Sequence, residues 1–454
     1  GQREYYADWV AAGASGWDYD SVLPFFKRSE NYAGGASHFH GTSGELGVSD
    51  LQNDHPYCDA WLQAAQQFGL PRNHDFNAET DDGVGAYQLS IQGGWRSSAA
   101  RCFLRPALKT PTLTLTMHAQ VSRVLFEGST AVGVEWIEAG ATRSARAERE
   151  VILCAGALQS PQLLQLSGIG PAALLREHGI PVVADSPELG ENLQDHYQAR
   201  VIVRLKHRLS LNDQVRSPYG LAKMGLQWLL FNRGPLTVGA GQVGGFARTA
   251  HARDSRADIQ FNVMPLSVDR PGMPLHDYSG FSVSVAQCRP DSRGRLAIRS
   301  TNPFDQPRIE PRYFSAEHDR KVMVAGLEMV REIYQQPAFR ELWDLETLPG
   351  PDFKTPADLW QHARTKGGTV FHPTSSCRMG VDAHSVVDEQ LRVRGVDCLR
   401  VIDASVMPSV TSSNTNAPTF MIAEKGASLL LAAHDQTRSD STAAPRRSPQ
   451  EIHS

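Results

Sequence analysis

The amino-acid sequence predicts an α/β (α+β) protein in which strand–turn–helix units make one domain and an antiparallel sheet makes another. Three stretches carry that prediction. Residues 151–170, VILCAGALQSPQLLQLSGIG, read as a buried strand, a glycine turn and a helix. Residues 399–434 repeat the pattern, with the apolar run LRVI, an Asn/Pro-rich loop and the helix TFMIAEKGASLLLAAH. Between them ADIQFNVMP, GFSVSVAQCRP and GRLAIRS, within residues 257–300, have the length and spacing of antiparallel strands.

Composition limits the function classes. A chain of 454 residues has room for two or three domains with sizeable cores. Hydrophobic content of 41% and charged content of 21% describe a globular chain. A net charge of −4, with no Lys/Arg run, argues against nucleic acid as a partner. No apolar run reaches the roughly 18 residues of a membrane span, and residue 1 lies in polar, aromatic sequence, so neither a transmembrane segment nor a signal peptide is expected. The six cysteines are scattered without a C-x-x-C, which favours free thiols, a reducing compartment and a cytoplasmic placement, with a peripheral membrane location left open. His38 and His40 have no acidic or cysteine neighbours in sequence, so they are expected in a surface loop, and no metal is expected.

In chain order, residues 1–31 should form two short helices, the second capped by Asp18, with Trp9, Val10, Trp17, Val22, Leu23, Phe25 and Phe26 as packing residues. Residues 54–69 have helical periodicity closed by Gly69 and Pro71. Residues 93–108 read as a turn into a helix capped by Ser97 or Ser98, with Arg96, Arg101 and Arg105 near one another. TLTLTM, from residue 112, VSRVLFEG and AVGVEWIEA alternate like hairpin strands. The literal Gly-x-Gly-x-x-Gly at residues 239–244 runs into a strand-like GFART rather than a helix, so it is read as a substrate-domain loop, not a nucleotide site. Residues 308–339 give a turn and a long amphipathic helix with Val322, Val324, Leu327, Val330 and Ile333 inward, and residues 356–364 a short one.

The chemistry gathers in the last third. FHPTSSCRMG (371–380) places a histidine beside a proline, LRVIDASVMPS (399–409) ends an apolar strand in Asp403-Ala404-Ser405, and TSSNTNAPTFMIAEKG (411–426) runs a loop into a helix. A helix N-terminus there exposes backbone N–H groups to an anion or an electron-rich ring edge. A histidine and an asparagine on one site pair a proton acceptor with a neutral hydrogen-bond donor. A strand that ends in Ala155-Gly156 lets backbone approach a ligand closely.

These three runs, in this order and spacing, resemble the C-terminal part of the glucose–methanol–choline (GMC) family of flavin oxidoreductases. Gly156 to Gly170 resembles the family's second signature, and LGENLQDH (189–196) a family turn in which His196 is read as a structural histidine held by a loop. Residues 93–108 also resemble a family segment, which favours a place beside the cofactor for the three arginines. The resemblance implies an FAD-binding Rossmann-like domain with a substrate domain on an antiparallel sheet, FAD as cofactor, and oxidation of a primary alcohol, choline-like, aliphatic or aromatic, to the aldehyde. By the same resemblance His372 is the catalytic base and Asn414 its partner, Asp403, Ala404, Asn416 and Pro418 lie near the flavin, Ala155 and Gly156 approach the cofactor, and Val121 lies against its adenine end. Electrons would pass to a quinone or oxygen. The chain departs from the family at Ser375-Ser376, where Gly-Thr is usual.

The implied partition is 1–175 for an N-terminal module, 176–370 for substrate binding, 371–434 for the return carrying His372 and Asn414, and 435–454 for a disordered tail. The family's first segment, a βαβ unit with a phosphate-binding glycine turn, is not found ahead of Gly1, so an N-terminally shortened member that binds FAD poorly alone is expected. A non-catalytic remnant is the rival reading; a serine hydrolase is disfavoured because no Gly-x-Ser-x-Gly is present. Asp258, Phe261, Asp269 and Tyr278 are the candidates for a choline cage, their convergence left open.

Overall fold

The computed structural model describes residues 2–442 apart from Ala240 and Pro271. Helices α1 (Arg3–Ala11) and α2 (Tyr19–Ser29) open the chain, and the Asp18 carboxylate caps α2 through the Ser21 N–H. Helix α3 (Pro56–Phe68) begins on a proline, whose missing N–H costs nothing at a first turn, and ends at Gly69. A three-stranded antiparallel meander follows: β1 (Gln120–Glu127), β2 (Thr130–Glu138) and β3 (Ala141–Arg146). Strand β4 (Val151–Leu153) leads into α4 (Gly156–Leu166). Then come β5 (Tyr197–Leu205), α5 (Pro218–Phe231), β6 (Val243–Ala247), β7 (Ile259–Met264) and β8 (Gly280–Gln287). Helix α6 (Glu317–Tyr334), β9 (Trp343–Leu348), α7 (Pro356–Lys366) and β10 (Gly368–Thr369) precede β11 (Leu399–Val401) and the last helix, α8 (Asn416–Thr442).

Two cores result. The larger is a six-stranded antiparallel sheet in the order β6-β7-β8-β5-β9, with β10 also paired to β5. Its register puts Phe261 opposite Val285 and Val201 opposite Val283, so Phe261, Val263, Val283, Val285, Val201 and Val203 share one face. Helix α6 covers that face through Val322, Leu327, Val330 and Ile333, all fully buried. Val324 is only half-buried, and Met323 and Gly326 are buried instead. A Cβ on Gly326 would lie 2.5 Å from a Val285 methyl, so the helix sits this close to the sheet because that residue is glycine.

The second core wraps a short parallel pair, β4 with β11, in the register Val151 to Leu399 and Leu153 to Val401. Helices α1 and α2 close on it from one side. The Trp9 and Trp17 indoles are fully buried and donate to the carbonyls of Ser409 and Glu389, so the first and last parts of the chain pack together.

Several sequence expectations change. Residues 112–117 form no strand; Leu113, Leu115 and Met117 stand exposed, because alternation sets a strand only where a neighbour supplies the ladder. The hairpin is β1 with β2, and β3 extends it. Val10 is exposed rather than packed. The proposed boundary at residue 175 does not divide the cores, since Tyr57, Trp61 and Leu62 of α3 pack with the large sheet. Helix α8 runs past residue 435 to Thr442, with no proline or glycine between Ala427 and Thr442 to stop it; the remainder of the expected tail, residues 443–454, lies outside the described residues. His40 is not in a solvated loop. It is buried between the carboxylates of Glu30, 3.0 Å away, and Asp75, 2.9 Å away, partners supplied by remote chain segments. The glycines at 239–244 lead into β6 of the antiparallel sheet, as expected of a substrate-domain segment. Among the described residues no helix is long and apolar enough to cross a membrane.

Candidate active site

The site forms where the two cores meet. Chain segments 193–196 and 370–374 run side by side, tied by the Gln194 and Thr374 backbones donating to each other's carbonyls at 3.1 and 2.9 Å. His196 stands at the entrance to β5 and His372 just after β10. Asp195 fixes the corner: its carboxylate accepts from the His372 N–H at 2.9 Å, the Thr369 hydroxyl at 2.5 Å and the Tyr313 hydroxyl. Backbone strain flanks the histidine, with Phe371 at φ +63° and Ser375 at φ +74°. Ser375 thus occupies the left-handed region at the position where the family has glycine, and Ser376 keeps a hydroxyl bond, 2.6 Å to the Ala157 carbonyl.

Both imidazoles are buried. His196 Nε2 lies 3.1 Å from the Cys288 carbonyl, which can only accept, so Nε2 carries the proton. In a neutral ring Nδ1 is then a bare acceptor. It faces His372 Nδ1 at 3.0 Å, so that nitrogen donates. The assignment passes down the chain and leaves His372 Nε2 with its lone pair free to accept from the Asn414 amide, 3.1 Å away. Desolvation, followed by the neighbouring His196, holds His372 well below the ordinary imidazole range, and desolvation also lowers His196. Both rings are therefore held neutral at pH 7, and His372 presents a base at one defined nitrogen.

The residues expected around the cofactor fall into two groups. Ala155, Gly156, Asp403 and Ala404 meet at the carboxyl ends of the paired strands β4 and β11, where open parallel sheets bind ligands. Gly156 has φ +83° and donates its N–H to Asp403 at 2.9 Å, and Asp403 also accepts from the Ser160 hydroxyl at 2.6 Å and the Ser405 N–H at 2.8 Å. That carboxylate locks the two strand ends together while Ala155 stays exposed. Asn416 opens α8 beside Asn414; its side chain is exposed and Pro418 is buried. Val121 is half-buried at the start of β1. Exposed strand-end backbone, a helix N-terminus and a neutral base facing one region are the donor set that a planar, electron-rich ring with a polyhydroxyl chain requires, so these residues fit FAD.

Other residues resolve differently. Arg96, Arg101 and Arg105 are all exposed, and the Arg101 guanidinium lies 5.3 Å from the Trp95 ring. The four cage candidates do not converge: Asp258 accepts from Thr249, Phe261 is in the sheet core, and Asp269 and Tyr278 gather around His276. Sequence reasoning missed Gln260, which donates to the Ser413 hydroxyl at 3.2 Å, next to Asn414. The signal was present in the period-two alternation of IQFNVM, which puts Gln260 and Asn262 on the sheet face opposite Phe261.

Comparison with known proteins agrees with this geometry. The family models described as GMC oxidoreductase match residues 1–198 and 290–423. The chain is 38% identical over 447 residues to an alcohol dehydrogenase [acceptor] of Pseudomonas putida, covering 97% of this chain and 80% of that one. It is 40% identical over 432 residues to the mitochondrial choline dehydrogenase of Homo sapiens, covering 95% and 72%. Among solved structures, an FAD-dependent oxidoreductase from Chaetomium thermophilum superposes with a TM-score of 0.86 at 26% identity, covering 96% and 84%. Pyridoxine 4-oxidase from Mesorbium loti gives 0.83 at 27%, covering 96% and 81%.

Proposed function

The chain belongs to the GMC oxidoreductase family and is an FAD-dependent oxidoreductase of alcohols, and from that premise we propose that His372 is its general base and Asn414 the partner that holds the substrate oxygen. A primary alcohol, choline-like, aliphatic or aromatic, enters beside Asn414 and donates its hydroxyl proton to His372 Nε2. The direct contact between His372 and Asn414 opens to admit that hydroxyl, because one oxygen can donate to the imidazole and accept from the amide. Proton loss to His372 raises electron density on the oxygen; hydride departs from the carbon as the C=O bond forms, giving the aldehyde. The Asn414 N–H steadies the alkoxide-like oxygen without competing for the proton. FAD, when bound, supplies the hydride acceptor.

Ala155, Gly156, Asp403, Ala404, Asn416, Pro418 and Val121 are the residues that would hold that cofactor. Electrons then leave to a quinone or to oxygen. The observation that carries the base assignment is the ordered run of hydrogen bonds from the Cys288 carbonyl to Asn414, which makes His372 Nε2 an acceptor. The test is visible absorption of the chain after incubation with FAD and gel filtration. Retained flavin bands that bleach on addition of a primary alcohol, and fail to bleach in His372→Ala, support the assignment. Bleaching at the wild-type rate in that variant refutes it.

A further inference from the structure

The Asn414 side chain has two ends, an oxygen and an NH2 group, and only the NH2 group suits the oxygen of an alcohol that loses its proton. A second run of hydrogen bonds, separate from the one through His196, decides which end faces His372. It starts in the large sheet, where Gly245 on β6 stands opposite Phe261 on β7. The Tyr87 hydroxyl donates to the Phe261 carbonyl at 2.5 Å and takes the Gly245 N–H at 3.1 Å. Gly244, the last glycine of the 239–244 run, leaves room for it. A Cβ there would run into the Phe261 carbonyl and lie 2.6 Å from the Tyr87 hydroxyl.

A carbonyl can only accept, so the Tyr87 hydrogen is spent on Phe261. The end of the Gln260 amide that approaches the same hydroxyl, at 3.3 Å, is therefore the NH2 group. That NH2 group also donates to Ser413 Oγ at 3.2 Å, and the Gln260 side chain is buried, which fixes its orientation. With its oxygen taken by Gln260, the Ser413 hydroxyl turns its own hydrogen to Asn414 Oδ1, 3.3 Å away. Asn414 Oδ1 is then an occupied acceptor, and the NH2 group is left for His372 Nε2 at 3.1 Å. The two runs meet at this contact and agree: one makes His372 Nε2 an acceptor, the other makes Asn414 the donor. Asn414 is exposed, so water alone would satisfy either end of its amide and would not choose between them.

We propose that Ser413 and Gln260 are positioning residues, which hold the Asn414 amide with its N–H towards the substrate oxygen while the alcohol gives up its proton. This rests on the assignment of Asn414 as that oxygen's partner and adds what orients it; no proton moves along the relay. The test is a double-mutant cycle on the FAD-loaded enzyme with a primary alcohol, read beside nitrogen-15 shifts of the His372 ring taken without FAD or substrate. Asn414→Ala should lower kcat/KM by about 10²-fold, the size of a lost oxyanion donor. Ser413→Ala should lower kcat about fivefold, the worth of one hydrogen bond, and leave KM within about twofold, because the oxygen becomes alkoxide-like only on the way to the transition state. Added to Asn414→Ala, the same change should have no further effect. Ser413→Thr keeps a hydroxyl and should recover most of the rate. Gln260→Leu should act as Ser413→Ala does, and the two together should cost no more than one. In Ser413→Ala the His372 Nε2 resonance should move towards that of a free, unprotonated nitrogen, as the amide turns and withdraws its donor. Ser413 lies half-buried in a loop, so melting should stay unchanged. A wild-type rate in Ser413→Ala, an unmoved His372 resonance, or a loss that persists in full in Asn414→Ala overturns the proposal and leaves the catalytic reading standing, the last because it makes Ser413 a direct substrate contact. A wild-type rate in Asn414→Ala overturns both.

Discussion

The two cores hold their shape by different means. The six-stranded sheet is a ladder: β8 pairs with β5 and β7 along nearly its whole length, and its apolar face is sealed by α6. The core around β4 and β11 has a three-residue parallel pair at its centre and is held by side chains that reach across it. Asp403 takes three donors, and two tryptophans cap distant carbonyls. A ladder tolerates loss of one contact because its neighbours keep the register. A core tied by single carboxylates and indoles does not. The proposed base, His372, runs into the tied core through the Cys377–Met379 segment, and its orientation comes from the ladder side, through His196 and Asp195.

The largest expected effect tests whether chemistry rests on the tied side alone. His372→Ala should lower kcat/KM by about 10³-fold, the size of a lost general base, with melting nearly unchanged. Asp403→Ala sharpens the contrast in stability. It strands the Gly156 and Ser405 N–H groups and the Ser160 hydroxyl, and should cost about 3 kcal/mol in denaturant titration. Single hydroxyl removals in the ladder, such as Ser282→Ala, should cost about 1 kcal/mol or less; equal costs would break the comparison.

The third prediction joins the regions. His196→Ala should lower kcat/KM by tens of fold, because His372 Nδ1 loses its acceptor and the base can adopt the other tautomer. His196→Gln offers an amide oxygen to His372 and an N–H to Cys288, and should recover most of the loss. Depressed basicity makes the neutral form of His372 the working form. The acid limb of kcat/KM should therefore lie below pH 6.5 in the wild type and move up towards it in His196→Ala as water enters. Nitrogen-15 chemical shifts of the His372 ring report the tautomer directly, and a purely packing role for His196 would leave them unmoved.

The smallest effect is at the rim. Two carboxylate partners raise the His40 imidazole to about 9 against the cost of its burial. A folded value above the unfolded 6.5 stabilises the protein fully below pH 6.5, and the gain is lost as pH rises through 9. The loss should not exceed about 1 kcal/mol, because Glu30 and Asp75 keep contact with solvent. Melting curves between pH 6 and 10 should show a slope that His40→Gln flattens.

Local patterns carried much of this architecture. The strand–turn–helix units at 151–166 and 399–434, the caps at Asp18 and Gly69, and the amphipathic α6 all follow from near neighbours in the chain, and the structure has them where periodicity puts them. The approach of His372 to Asn414 was legible because a motif encodes it. The pairing of His196 with His372 was not, since those residues are 176 apart in sequence and neither carries a local sign of the other. For the same reason the acid clamp on His40 and the unpaired state of residues 112–117 were misread: both depend on partners that periodicity cannot name. At Ser375 the sequence shows only the departure from glycine, whereas its backbone conformation, φ +74°, is the feature that sets the bend after His372.

The long chain separation inside the site also bears on how the protein reaches its native state. Segments 193–196 and 370–374 can meet only after the intervening sheet has closed, and non-local pairing of that kind is slow because loop entropy is spent before contacts repay it. During refolding from denaturant, helical circular dichroism should return first. The competence to deprotonate an alcohol should return last, so recovered activity becomes a kinetic marker for completed folding of both cores.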